Sequence, residues 1–298
     1  MRRRALLAAA LLPLPAAAHG AVLPVVATFS VLADLVRQVG GDAVSVVSLV
    51  PVGADAHAFQ PSPGALRSLR DARVAVENGL GLDGWLDRLV RASGFSGTRV
   101  VASAGVRPRP VQEGGRAVPD PHVWQDPGRA VLMVRAIADG LCAADPARAA
   151  GYRARAADYT ARIEALDAEI ERRIGAVPRE KRRVITGHDA FGYFGARYGV
   201  EFRAVQGVST EGEPSARDLA RLAAQVRREG IRAVFVENMT SPRAAEALAR
   251  EAGARVGGTV YSDDLSPPDG PAGTYLDMMR HNARLFVDAM ADAAGPGD

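Results

Sequence analysis

The stretch Pro146–Ile174, PARAAGYRARAADYTARIEALDAEIERRI, decides the fold. It is one uninterrupted helical pattern rich in Ala, Arg and Glu, and its only internal glycine is Gly151. Tyr159, Ile163, Leu166 and Ile170 recur at steps of four, three and four, which sets them on one stripe of a helix. At 1.5 Å rise per residue, roughly 29 residues make a rod of about 43 Å, long enough to run the height of a domain. Gly175 and Pro178 end it. The stripe covers too few heptads for a coiled-coil seam.

On both sides of the rod, short apolar runs alternate with helical periodicity. Before it, Val25 to Phe29, Ala43 to Val50, Ala72 to Glu77 and Arg99 to Ala102 read as strands. Val31 to Val39, Pro63 to Leu69 with a capped start at Ser62-Pro63, and Gly84 to Ser93 read as helices, and Pro127 to Leu141 is a helix capped by Asp126 with Pro127 at its first position. After it, Val184 to Thr186, Glu201 to Ala204, Ala233 to Val236 and Val256 to Tyr261 read as strands. The helices there are Ala190 to Tyr198, Ser215 to Glu229, Pro242 to Ala252 and Thr274 to Ala291. Two alternating blocks joined by one helix predict an α/β protein of two Rossmann-like lobes with mainly parallel sheets. The expected boundaries are an N-terminal lobe over 22–143, a rigid linker over 144–176 and a C-terminal lobe over 177–298.

The 298 residues are 48% hydrophobic and 24% charged, which excludes a disordered chain and a disulfide scaffold. The length fits two domains, each with enough residues for a core. The net charge of +3 rests on Arg2, Arg3 and Arg4; without them the count is 34 basic against 34 acidic residues. That balance gives no case for nucleic acid as a partner. The three arginines open a targeting segment over 1–18, followed by the apolar run from Ala5 and a small-residue cleavage site at Ala16 to Ala18. The run of about 14 residues is shorter than the roughly 20 that a spanning helix needs. No cysteine follows it, so the expected product is exported to the periplasm without a lipid anchor. The single cysteine, Cys142, lies in a helical pattern and reads as a buried apolar residue, not a nucleophile.

One motif misleads. Gly79-Leu80-Gly81-Leu82-Asp83-Gly84 fits G-x-G-x-x-G after a strand, yet positions 99 to 112 hold no acidic residue to bind a ribose. The glycines are better read as a tight strand-to-helix turn. There is no G-x-x-x-x-G-K, no G-x-S-x-G and no cysteine pair, so phosphate, serine-hydrolase and thiol chemistry find no foothold.

Histidine is scarce enough to interpret. His19 falls at the cleavage site and His281 in the last helix, where packing is the better reading. His57, His122 and His188 all sit in loops just before a helix, and Asp263 follows a strand in the same way. In open α/β sheets, ligands bind in the crevice at the carboxyl ends of the strands. Two of these groups come from each lobe, so they could converge between the lobes. Three imidazoles and one carboxylate suit a divalent transition ion. Their separations match no local metal motif, so spacing alone leaves open that each is an ordinary loop residue.

In order along the chain, these segments resemble the metal-binding solute-binding proteins of ABC importers for zinc or manganese. Asp55-Ala56-His57-Ala58-Phe59-Gln60-Pro61-Ser62-Pro63 resembles the family's first ligand loop, and Asn78 to Leu86 its next strand-turn-helix. Asp120-Pro121-His122-Val123-Trp124-Gln125-Asp126-Pro127 resembles the second ligand loop, and Gly187-His188-Asp189-Ala190-Phe191 the third. Ser262-Asp263 with Thr274 to Asn282 resembles the fourth and the closing helix. Ala56 stands where proline is usual and Gln125 where an apolar residue is usual, departures that bear on loop stiffness. The third position is His188, whereas manganese-selective members carry glutamate there, so the resemblance favours Zn2+ over Mn2+ as cargo. The stretch Val106 to Pro119 holds no histidine, unlike the His-rich loop of many zinc members.

The resemblance implies a monomer that captures a metal ion with His57, His122, His188 and Asp263 and delivers it to a membrane permease. A periplasmic zinc chaperone would be a second partner. A zinc hydrolase with Glu237 as base is the rival class, because three histidines with an open fourth position also make a catalytic centre. A fourth ligand at Asp263 closes that position and leaves Glu237 to orient an imidazole.

Overall fold

The computed structural model describes residues 21–208, 210 and 215–292; the targeting segment and His19 lie outside them. In the N-terminal lobe, strand β1 (Leu23–Ala27) leads into helix α1 (Ser30–Gly40), and β2 (Val44–Ser48) is followed by a long loop and α2 (Pro63–Asp71). Then come β3 (Val74–Glu77), α3 (Leu86–Ser93), β4 (Thr98–Val101), the short strands β5 (Pro110–Glu113) and β6 (Arg116–Pro119), and α4 (Pro127–Ala144). The rod is α5 (Ala149–Gly175). The C-terminal lobe contains β7 (Arg183–Thr186), α6 (Gly192–Tyr198), β8 (Glu201–Ala204), α7 (Ala216–Glu229), β9 (Ala233–Glu237), α8 (Pro242–Ala252), β10 (Arg255–Val260) and α9 (Tyr275–Asp292).

Both main sheets are four-stranded and parallel, ordered β2-β1-β3-β4 and β10-β9-β7-β8. Counted within its own lobe, each has the order 2-1-3-4, so each has a switch point beside its first strand where a crevice opens. Local chemistry starts the helices as the sequence predicts. Ser62 accepts a hydrogen bond from the Ala65 amide at 3.2 Å ahead of Pro63, and Asp126 accepts one from Gly128 at 2.8 Å ahead of Pro127.

The rod's stripe is buried: Tyr152, Tyr159, Ile163, Leu166, Ile170 and Ile174 pack against α1, α4 and α9. One apolar cluster therefore runs from Val25 and Val76 in the first sheet, through Ile163 and Leu166, to Phe286 on α9 and Phe235 in the second sheet. Phe286 meets Phe191, Phe194, Phe202 and Phe235 edge-on at 5.1–5.5 Å. A smaller cluster under α7 and α8 covers the other face of the second sheet. Cys142 is buried.

Two local details depart from the sequence reading. The stretch 110–119 forms an antiparallel hairpin that was not expected. Its turn is Gly114-Gly115 with φ of 55° and 78°, the pair of left-handed residues that a two-residue hairpin turn requires. Helix α3 starts at Leu86, not Gly84, because the Asp83 carboxylate draws the preceding turn inward. That carboxylate accepts the amides of Asn78 and Gly79 at 2.6 and 3.0 Å and the Thr28 hydroxyl at 2.9 Å. The turn does run left-handed, with φ of 82° at Gly79, 57° at Leu80 and 91° at Gly81. The buried Asp83 carboxylate takes the Asn78 and Gly79 amides at its mouth, which sets an anion where a pyrophosphate would have to lie.

Because the main core is continuous through the rod, the protein should unfold in one calorimetric transition. Ile163→Ala is expected to lower its stability by about 2–5 kcal/mol. Two resolved transitions, only one of them moved by the substitution, would show that the lobes have separate cores.

Candidate metal centre

Each candidate donor is held by its own loop. His57 lies between β2 and α2, where its amide donates to Asp55 Oδ1 at 2.8 Å. Trp85 Nε1 donates to the Ala56 carbonyl at 3.2 Å, so a buried indole steadies the position where proline was missed. The Thr210 hydroxyl of the other lobe donates to Asp55 Oδ2.

His122 is gripped by Asp120, which accepts its amide at 3.0 Å and faces its Nδ1 at 2.8 Å. Arg109 holds the other Asp120 oxygen at 3.3 Å, and Asn78 donates to the Pro121 carbonyl at 2.9 Å. A proton on Nδ1 shared with Asp120 leaves the Nε2 lone pair free to ligate.

His188 follows β7, and Glu237 closes β9 beside it. Glu237 Oε1 accepts the His188 amide at 2.8 Å, and Oε2 lies 2.6 Å from His188 Nδ1. The Ser262 hydroxyl donates to the same Oε2. Asp263 comes next in the chain.

The four groups converge, drawn from both lobes. His57 Nε2 lies 3.2 Å from His122 Nε2 and 3.2 Å from Asp263 Oδ2. His188 Nε2 is also 3.2 Å from Asp263 Oδ2, and His122 Nε2 is 3.6 Å from Oδ1. A tetrahedral ion with ligands at about 2.0–2.1 Å has edges of about 3.3 Å; these four separations lie near that length, and all four donor atoms lie within 4.8 Å of one another. His122, His188 and Asp263 are buried, whereas the His57 side chain retains 8% of its surface. Among the described residues, neither oxygen of Asp263 has a hydrogen-bond partner outside the imidazoles of the cluster. Buried polar atoms left so are rare unless something else completes them.

Without an ion the cluster is strongly coupled. Burial disfavours charge on His122, but Asp263 and Asp120 outweigh it and raise its pKa to about 9. Burial likewise opposes charge on His188, and Glu237 with Asp263 raises its pKa well above the ordinary value. Burial also opposes the Asp263 carboxylate, yet His122 and His188 hold its pKa well below the usual range.

His281 stands apart, its Nε2 2.9 Å from the Thr259 carbonyl and its ring against Tyr261. Sequence reasoning missed Asp120, Gln125, Ser262 and Asn282 as supports. Asn282 pairs with both the amide and the carbonyl of Tyr261, at 3.0 and 2.6 Å. Asp120 alone carried a local signal, two residues before a ligand-type histidine.

The chain is similar to known metal-binding proteins over nearly its whole length. The family model for the zinc-uptake complex component A, periplasmic, matches residues 25–289. The chain is 33% identical over 284 residues to zinc-binding protein TroA of Treponema pallidum, covering 93% of this chain and 91% of that one. It is 30% identical over 272 residues to iron-binding protein YfeA of Yersinia pestis, covering 91% and 86%. It is 31% identical over 273 residues to manganese-binding lipoprotein MntA of Halalkalibacterium halodurans, covering 91% and 90%. The solved structure of periplasmic zinc-binding TroA superposes with a TM-score of 0.85 at 30% identity, covering 91% of this chain and 99% of that one. These names divide among zinc, iron and manganese, and other relatives are named ABC transporter substrate-binding lipoproteins. The chain belongs to the family of the zinc-uptake complex component A, the extracytoplasmic metal-binding and substrate-binding proteins of ABC transporters.

Proposed function

We propose that this chain captures one Zn2+ ion per molecule with His57, His122, His188 and Asp263 and hands it to a membrane permease. The observation that carries this reading is the convergence of the four donors, with the buried Asp263 carboxylate faced by three imidazole nitrogens. Three imidazoles and one carboxylate gathered within 4.8 Å suit zinc, while manganese prefers more oxygen donors. Manganese is the second reading, favoured by the name of MntA and by the second Asp263 oxygen, which could raise the coordination number.

In this reading 22–143 and 177–298 act as two lobes on the linker 144–176. The protein works as a periplasmic monomer, and a zinc chaperone is its donor. It is no hydrolase. Glu237 faces Nδ1 of His188, the side of the ring away from the other donors, so it is badly placed to deprotonate a water on the ion. Its support of the imidazole is the better use of that position.

Titration against a competing chelator should give one tight zinc site per chain, with manganese bound more weakly. A stoichiometry near zero, or manganese displacing zinc, would overturn the reading. Saturating zinc at a thousandfold excess over Kd stabilises the folded chain by about 4 kcal/mol. Asp263→Ala should shrink the resulting rise in Tm, and His122→Ala should do the same.

The pH dependence has a definite sign. Each histidine must lose its proton to ligate, and His122 holds one up to about pH 9 in the empty site. Apparent zinc affinity should therefore keep climbing above pH 7, beyond the range of an ordinary imidazole near 6.5. The stability from the raised His122 pKa is complete below about pH 6.5 and lost as pH rises through about 9. The metal-free protein should thus lose Tm over that window. Calorimetry at pH 7 in buffers of different ionisation enthalpy should detect protons released on zinc binding; zero release would refute the account.

A further inference from the structure

Ser262 offers no atom to the four-donor cluster, yet three of the four donors are tied to it. Its carbonyl accepts two hydrogen bonds, from Trp124 Nε1 at 2.8 Å and Gln125 Nε2 at 2.9 Å. Both donors belong to the loop of His122, in the other lobe. Its hydroxyl donates to Glu237 Oε2, the oxygen that faces His188 Nδ1 at 2.6 Å. Its own chain continues directly into Asp263. Ser262 is fully buried, and so are Trp124 and Gln125. On its other side, the paired hydrogen bonds of Asn282 fix the backbone of Tyr261.

We propose that Ser262 is a positioning residue of the metal centre, the node that locks the His122 loop, the Glu237–His188 pair and Asp263 into one geometry across the two lobes, with Gln125 securing its carbonyl. The inference rests on the capture reading above and adds what sets the geometry.

Gln125 shows the cost of this arrangement. Its Oε1 is buried without a hydrogen-bond partner among the described residues. A buried amide oxygen left unpaired is destabilising, whereas a leucine of similar shape would leave none. For the fold alone, leucine would serve at least as well. What glutamine adds is the amide hydrogen bond to the Ser262 carbonyl, one residue before Asp263. The Ser262 hydroxyl acts at the other end. By donating to Glu237 Oε2, it fixes that carboxylate, and with it the orientation of the His188 ring. Supports of this kind, one bond removed from the ligands, commonly change metal affinity by about 10- to 100-fold when lost.

The test uses the mature chain with Zn2+ and with Co2+, whose visible absorption reports the symmetry of its ligands. Ser262→Ala and Gln125→Leu should each still bind one ion, with zinc affinity about 10- to 100-fold weaker and an altered cobalt spectrum. The metal-free Gln125→Leu chain should melt at or above the wild-type temperature, a split between affinity and stability that a merely structural residue would not give. Ser262→Thr keeps the hydroxyl and should restore the cobalt spectrum that Ser262→Ala loses. Wild-type affinity and cobalt spectrum in both variants would overturn the proposal, as would affinity losses matched by equal losses of metal-free stability. If Ser262→Ala does not fold, Gln125→Leu decides alone. A wild-type chain that bound no zinc would instead defeat the capture reading, a result distinct from all of these.

Discussion

Asp263 is a buried carboxylate with no hydrogen bond to either oxygen from the described residues beyond the three imidazole nitrogens that face it at 3.2–3.6 Å. A buried anion is tolerated only when a cation or a set of donors compensates it. Here the compensation can take two forms. With a divalent ion in place, the imidazoles are neutral ligands and the ion carries the charge. Without it, the same carboxylate draws protons onto His122 and His188, which is why their pKa values rise despite burial. Metal and protons thus compete for one electrostatic vacancy, and Asp120 and Glu237 deepen it from behind the rings.

That competition is meaningful only if the donors cannot drift apart, and the two lobes are tied by more than the rod. Ser30 on α1 donates to Asp264, and the Leu265 amide donates back to Ser30 at 2.8 Å. Tyr275 at the start of α9 donates its hydroxyl to the Trp124 carbonyl at 2.8 Å and its amide to buried Asp34 of α1 at 2.8 Å. The unexpected hairpin also reaches across, since Glu113 accepts the Val208 amide at 3.0 Å. With a continuous apolar core behind them, these bonds favour a small adjustment around the ion over a wide hinge motion.

Features fixed within a few residues were legible in the sequence. The stripe Tyr159, Ile163, Leu166 and Ile170, the caps at Ser62 and Asp126, and the alternation that gives two parallel sheets depend on neighbours in the chain. The donor types could also be read, because His57, His122, His188 and Asp263 lie in loops at the right ends of strands. Their convergence was suggested only by the strand-end rule and the family resemblance, since it depends on how two sheets dock. The same limit hid Gln125 and Ser262, whose partners lie more than 130 positions away, at separations of 137 and 138 for the two bonds to the Ser262 carbonyl. The Gly114-Gly115 hairpin was a different failure. Its turn signal is local, but its two strands bury no residue and carry no apolar run.

The donors are not equivalent, and the difference gives the proposed capture a direction. His122, His188 and Asp263 are buried, and the two histidines each have a carboxylate behind the ring. His57 keeps some exposed surface and sits in the long loop between β2 and α2, held there by Asp55 and by Trp85 through Ala56. An ion entering from solvent therefore meets His57 before it meets the other three, and an ion leaving loses His57 last. Rigid donors inside and one accessible donor outside separate two demands that conflict in a single shell. In the proposed capture, the buried three would set the fit, and the outer histidine is where contact with solvent begins. For a protein that must bind its cargo firmly and still surrender it, that division serves better than four donors held with equal stiffness.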